Sequence, residues 1–429
     1  METKIIYRYP LGNPRRKYRQ DNLVISTFKA YTGNIRLGIE HCKEMGFNMV
    51  EFGWVPPAES MKCMVACEEV GIDGLFQNWD AFGGMSENHG RKDVDMKALL
   101  SYLEETRKYR HMAGHYVWDE PLTKETMEVA RQQTDLVEQL DPDRLVYDVA
   151  LPGDNSYGRN WECDCYEEYL TEYLDIVDPV VASLDNYPFK PWFPEPSDQL
   201  DSVCFCMDLA LLRKLALERD MPMWFYFQSI DNPWKHIYQR LTPEQLRVQQ
   251  YQVLLHGAKG LHNYNVEPGA IRKEDGTKGP LFYATKELNY CCRQLGKTLM
   301  ALTSVGVYQS AELLKGNKHF DKLRMSIKDS KVLADQELPF RCSVGEFVDY
   351  EGNRYLMIQN RDYKATSQFA FELQKAFRVY EVSKDDGMQR VRNESINKLT
   401  MLLKPGDAVL LRFQNAAEEA YAIDYVLKK

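Results

Sequence analysis

Between Asn22 and Tyr264 a short apolar, β-rich run is followed eight times by a longer amphipathic stretch, and this alternation constrains the fold more than any other feature. The runs are residues 23–27, 49–54, 72–77, one ending at Trp118-Asp119-Glu120, then 145–149, 180–185, 223–228 and 260–264. Helices are expected at 35–45, 60–70, 96–109, 124–140, 166–177, 207–218 and 243–256, with a closing helix at 287–302. Near-continuous apolar strands fit a parallel sheet buried on both faces. Eight such units over roughly 260 residues have the span of a (β/α)8 TIM barrel. A doubly wound open sheet is the competing architecture, but the first strand is not followed by G-x-G-x-x-G, so dinucleotide binding has no motif behind it.

The pattern changes near Gly306. Runs at 354–359, 368–372, 377–382, 399–403 and 408–413 alternate with period two, and turns such as Lys384-Asp385-Asp386-Gly387 and Lys404-Pro405-Gly406-Asp407 separate them. The fold class expected is therefore α/β, a barrel over 1–305 that carries the site, followed by a small antiparallel all-β sandwich over 306–429.

Bulk properties remove several functions. A net charge of -9 gives no electrostatic support for nucleic acid or an anionic membrane. No apolar run approaches the roughly 20 residues that cross a bilayer. The ten cysteines include C-x-C pairs and the adjacent Cys291-Cys292, but no paired C-x-x-C spacing, and they read as buried thiols of a reducing compartment. Met1 to Pro10 lacks the apolar core of a signal peptide. The expected location is cytoplasmic if Met1 is the native start, and periplasmic or secreted if a signal has been removed. No cofactor or metal is expected.

In such a barrel the chemistry collects at the C-terminal strand ends. Those ends offer Glu51 and Trp54, then Asn78 and Trp79, then Trp118, Asp119 and Glu120. Asp148 follows, then Asp185, Asn186 and Tyr187, then Tyr226 and Gln228, and finally His262, Tyr264 and Glu267. Carboxylates, amides and flat aromatics on one rim suit a polyhydroxylated ligand, because rings stack on sugar C–H faces while amides and carboxylates bind hydroxyls. Asp119 and Glu120 stand where a strand meets a loop, and Pro121 ends the pairing. An Asp/Glu cap for the helix starting near Thr123 is the structural alternative. The Asp119 charge and an aromatic wall of Trp118 and Tyr116 are expected to keep Glu120 protonated.

Trp118-Asp119-Glu120-Pro121, the barrel pattern and the appended all-β segment together resemble the (β/α)8 glycoside hydrolases of the large retaining clan that includes the family 42 β-galactosidases. In that clan strand four ends in Asn-Glu with the Glu as general acid/base. The resemblance gives that role to Glu120, with Asp119 in place of the Asn. It implies a nucleophilic Glu at the end of strand seven, where this chain has Gln228. An amide cannot form the glycosyl ester, so Glu267 and Asp185 become candidates for the second carboxylate. Asp119 and Glu120 also resemble the Asp-Glu pair of enzymes that use a substrate acetamide as nucleophile. The function expected is glycoside hydrolysis of a glycan or oligosaccharide. The alternatives are a silent glycan-binding barrel, and a metal-dependent sugar isomerase or aldolase-like barrel using Glu120, Asp148, Asp185 and His262.

Overall fold

Eight parallel strands form the first sheet: β1 (Val24–Phe28), β2 (Met49–Phe52), β3 (Asp73–Phe76), β4 (Met112–Asp119), β5 (Leu145–Val149), β6 (Ala182–Asn186), β7 (Met223–Gln228) and β8 (Gly260–Tyr264). Between them run α1 (Ile35–Glu44), α2 (Pro57–Val70), α3 (Trp79–Phe82), α4 (Met96–Thr106), α5 (Lys124–Leu140), α6 (Tyr166–Ile176), α7 (Phe205–Glu218) and α8 (Pro243–Leu255), and α9 (Phe282–Leu299) follows β8. The strand order is β5-β4-β3-β2-β1-β8-β7-β6. Its two ends meet through a bridge between Ala150 and Leu184, with the Ala150 amide donating to the Ser183 carbonyl at 2.9 Å, so the barrel is nearly closed. This computed structural model describes residues 11–28, 33–53, 55–82, 93–153, 163–191, 204–230, 238–266, 269–311 and 323–415, without the side chains of Pro57 and Trp79. The chain divides into two units, one of Pro10–Leu246 with Ala258–Tyr290, the other containing Arg247–Gly257 and Cys291–Lys429.

The N-terminal end of the barrel is sealed by the segment before β1. Leu11 pairs with Gln20, whose amide donates to the Lys259 carbonyl at 2.6 Å and accepts the Trp224 indole N–H at 2.8 Å. Arg16, also buried, donates to the carbonyls of Asp178 and Val177 at 2.6 and 3.0 Å. What remains for a ligand is the opposite mouth, at the C-terminal strand ends.

A bulge in β4 decides which side chains point into that mouth. Tyr116 lies opposite Tyr147 and Trp118 opposite Asp148, with Val117 as the extra residue, so alternation slips by one. Tyr116 and Asp119 therefore share the lumen face, and the Tyr116 hydroxyl donates to Asp119 at 3.0 Å. Trp118, which was expected to wall Glu120, is turned with Asp148 toward the surrounding helices. The next helix starts abruptly: Thr123 caps α5, its hydroxyl accepting the Thr126 amide at 3.2 Å while Thr126 Oγ1 accepts the Thr123 amide at 2.9 Å.

In the second unit, six strands form one antiparallel sheet ordered β13-β12-β14-β11-β10-β9. They are β9 (Thr303–Gln309), β10 (Cys342–Val348), β11 (Arg354–Asn360), β12 (Ser367–Val382), β13 (Gln389–Leu403) and β14 (Ala408–Asn415). The expected strands at 368–372 and 377–382 are one continuous strand, interrupted in register rather than broken. Among the described residues no helix is long and apolar enough to cross a membrane.

Asp148 departs from its expected place at the mouth. Its carboxyl faces α5, where Thr134 Oγ1 donates to it at 2.8 Å, and it is fully buried. Burial pushes its pKa up to about 7, against the opposing pull of the Thr134 hydrogen bond. An unfolded aspartate titrates near 4. Stability contributed by this carboxyl is thus fully present below that value and is lost as pH rises toward about 7. Asp148→Asn stays neutral throughout. Its stability relative to the parent is expected to rise by on the order of a few kcal/mol between roughly pH 4 and 8, read by urea unfolding at each pH. Parallel curves for the two proteins would contradict this account.

Candidate active site

The lumen holds a sealed polar cluster under the mouth. Ser26 lies opposite His262, Phe28 opposite Glu51, Tyr226 opposite His262, and Asp185 opposite Tyr226, so all of these share the inward face. Glu51 accepts from the Ser26 and Tyr226 hydroxyls, and its Oε1 lies 2.5 Å from His262 Nδ1. His262 stacks on Tyr147 with ring centres 5.7 Å apart and meets Tyr226 at 4.6 Å. Tyr147 in turn shares a 2.6 Å hydrogen bond with Ser183. Glu51 and His262 have no exposed surface, and Tyr226 is nearly as enclosed. A lone buried carboxylate is costly, and the two hydroxyl donors offset that cost. Burial, and after it the Glu51 charge, raises the Tyr147 and Tyr226 hydroxyls well above the ordinary tyrosine value, so both remain donors. Glu51, Tyr226 and His262 were expected to touch substrate. They are gathered in one buried cluster on the inward face of the strands.

The mouth itself is lined by carboxylates and rings. Asp119 and Glu120 are half-buried at the end of β4. Glu120 has φ of 55°, the left-handed region that a side chain other than glycine enters at a cost of about 1 kcal/mol. Its amide donates to the Val149 carbonyl at 2.9 Å, which fixes the turn against β5. Asp185 is bonded by the Tyr187 hydroxyl. Tyr187 stacks on Tyr264 at 4.6 Å and 20°, Tyr264 meets Phe28 at 5.6 Å, and Tyr238 stands edge-on to Tyr187 at 5.7 Å. Phe28 reaches Tyr116 edge-on at 6.5 Å, linking this aromatic wall to the strand that carries Asp119. The Tyr264–Asn265 peptide bond is cis.

Other expected site residues serve the fold. Asn186 donates to Asp208 of α7 at 2.8 Å, on the helix side of β6. Asn78 caps α3, its side-chain oxygen accepting the Ala81 amide at 3.1 Å. Gln228 is fully buried and clasps backbone: Oε1 accepts the Phe189 amide at 2.8 Å, and Nε2 lies 3.2, 3.3 and 3.4 Å from the carbonyls of Phe189, Ile230 and Gln239. Trp54 and Glu267 lie outside the described residues, as does the Trp79 side chain. The four residues of the metal alternative are not assembled as one donor set, since Asp148 faces α5 and His262 is enclosed with Glu51. The sequence reading missed Ser26, Phe28, Tyr147 and Ser183 as lumen residues. The shared parity of Leu145, Tyr147 and Val149 was the signal for Tyr147, once Asp148 is read as facing outward.

No protein-family model and no curated protein sequence matches the chain. Among solved structures it is similar to one titled simply a glycoside hydrolase, at 9% identity and TM-score 0.47, covering 95% of this chain and 97% of the other. A family 30 subfamily 8 xylanase from Clostridium acetobutylicum matches at 9% identity and TM-score 0.46, over 92% and 96%. A putative α-L-fucosidase from Bacteroides thetaiotaomicron matches at 14% and 0.46, over 67% and 99%. At these scores the likenesses have no bearing on the activity of this chain.

The clasp by Gln228 predicts the effect of restoring a carboxylate at the end of β7. Gln228→Glu would replace an amide donor with an oxygen facing three carbonyls, which is expected to cost about 3 kcal/mol or more. Urea unfolding at pH 7 is expected to show that loss without any gain in hydrolytic turnover. A variant as stable as the parent would mean the amide bonds do not hold this loop.

Proposed function

We propose that the chain is a glycoside hydrolase, with Glu120 as the proton donor to the glycosidic oxygen. The observation that carries this reading is the Asp119–Glu120 pair at the mouth of β4. The β4 bulge turns Asp119 into the lumen, and Glu120 is held in a left-handed turn that side chains rarely adopt. The wall formed by Phe28, Tyr264 and Tyr187 supplies ring faces beside those carboxylates, the combination that a sugar requires.

In this reading the Glu120 carboxyl transfers its proton as the bond between the anomeric carbon and the leaving oxygen breaks. A second carboxylate either forms a glycosyl ester that water later hydrolyses, or deprotonates the water that attacks directly. Asp185, on the inward face of β6, and Glu267 are the candidates. Asp119 favours a second route, in which it orients a substrate acetamide that closes on the anomeric carbon. Its inward carboxyl, held by Tyr116 next to the acid, is the observation behind that route.

Turnover of a panel of aryl glycosides, including N-acetylhexosaminides, tests the assignment. Glu120→Gln is expected to lower kcat/KM by roughly 10²- to 10⁴-fold on phenyl glycosides and far less on dinitrophenyl glycosides, whose leaving group needs no proton in the first step. Asp185→Asn and Glu267→Gln are compared on the same panel, and the nucleophile or base is the one whose loss affects both leaving groups alike. Undiminished hydrolysis of phenyl glycosides by Glu120→Gln would sink the reading.

A further inference from the structure

The Glu120 turn is gripped from outside the barrel by one hydroxyl. On the first turn of α6, Tyr166 and Tyr169 are buried and stacked, with ring centres 5.8 Å apart at 22°. The Tyr166 hydroxyl donates to the Leu151 carbonyl at 2.7 Å. The Tyr169 hydroxyl donates to the Pro121 carbonyl at 3.0 Å and accepts the Leu151 amide at 3.1 Å. It therefore joins the chain leaving β4 to the chain leaving β5, one residue beyond Glu120.

We infer that Tyr169 is a positioning residue for the Glu120 carboxyl, an inference that rests on the acid/base role proposed above. A left-handed backbone persists outside glycine only where its surroundings over-determine it. The Glu120 amide is bonded to the Val149 carbonyl, Pro121 has no N–H to give, and the α5 cap begins only at Thr123. Between them the Tyr169 bond to Pro121 is the anchor on the far side of the strained residue. Without it the backbone at Glu120 loses one of its restraints against a right-handed φ, a change that would move its side chain. Tyr169 itself is fully buried on α6 and takes no part in the reaction. Its effect passes through the backbone it holds. Tyr166 donates to the Leu151 carbonyl, on the β5 side of the bridge that Tyr169 makes.

The test compares Tyr169→Phe, Tyr166→Phe and Glu120→Gln in the full chain. Each Phe variant keeps its ring in the core and loses one buried hydroxyl. Tyr169→Phe is expected to lower kcat on phenyl glycosides by about 10- to 100-fold with little change in KM, because a misplacement of roughly 1 Å has that scale of effect. Its kcat/KM on dinitrophenyl glycosides is expected to stay within about threefold, since the first bond-breaking step of that substrate bypasses the acid. Hydrogen exchange at the Glu120 amide is expected to accelerate about tenfold or more in Tyr169→Phe and to stay unchanged in Tyr166→Phe. Equal losses on both leaving groups, or the same behaviour in the two Phe variants, would overturn the positioning role. Full activity in Glu120→Gln would instead overturn the acid assignment, while Glu120 exchange would still report whether Tyr169 holds the turn.

Discussion

The hydrogen bond from the Glu120 amide to the Val149 carbonyl, at 2.9 Å, is the point on which the mouth of the barrel depends. It ends β4 against β5 after a register slip, and the slip gives that strand end its chemistry. Without the bulge at Val117, simple alternation along 116–119 would place Trp118 in the lumen with Tyr116 and leave Asp119 outside. With it, Tyr116 and Asp119 point inward together and are bonded at 3.0 Å. The chain then has to leave the strand toward α5 in very few residues. The left-handed φ at Glu120, Pro121 without a donor and the Thr123 cap accomplish that reversal. The cost at Glu120 is met by bonds to neighbouring backbone rather than by anything a ligand supplies.

Beneath that turn, polar groups are buried in two layers with different outcomes. Glu51 lies on the inward face, where the Ser26 and Tyr226 hydroxyls donate to it and the His262 ring lies beside it. Asp148 lies one layer outward, against α5, with a single hydroxyl donor, and burial carries its pKa to about 7. The two carboxylates thus have different partners because of which face of the strand each occupies.

The architecture was legible in the sequence because it is written in periodicity. The strand at 145–149, the strand at 223–228, the helix at 124–140 and the strand at 260–264 are found where hydrophobic runs and turn residues put them. Which residues face the pocket was less legible. Asp148 and Asn186 were chosen for their polarity, yet both face helices, because parity and not residue type sets direction on a strand. Trp118 was lost to a bulge that no local pattern announces. Gln228 is the plainest case: an amide at a strand end reads as a ligand contact, and only the approach of the Phe189, Ile230 and Gln239 backbone shows that its hydrogen-bonding capacity is already used.

That use of Gln228 narrows the chemistry open to the site. In the clan that strand four resembles, the acid on β4 works with a carboxylate on β7. Here the β7 position is committed to holding a loop, and its partners are carbonyls that repel a carboxylate. An acid at Glu120 must therefore act with a group from another strand or from the substrate. β6 lies next to β7, and β8 lies on the far side of the ring from β4 in the strand order. Which of them supplies the second group sets the gap across the anomeric carbon, with about 5–5.5 Å required for a covalent ester and roughly 6.5–9.5 Å when a water must fit between. An acetamide nucleophile removes that requirement and leaves Asp119, already turned inward beside the acid, to orient it. In the proposed reaction the place of the second charge would thus be constrained by a glutamine whose hydrogen bonds hold backbone.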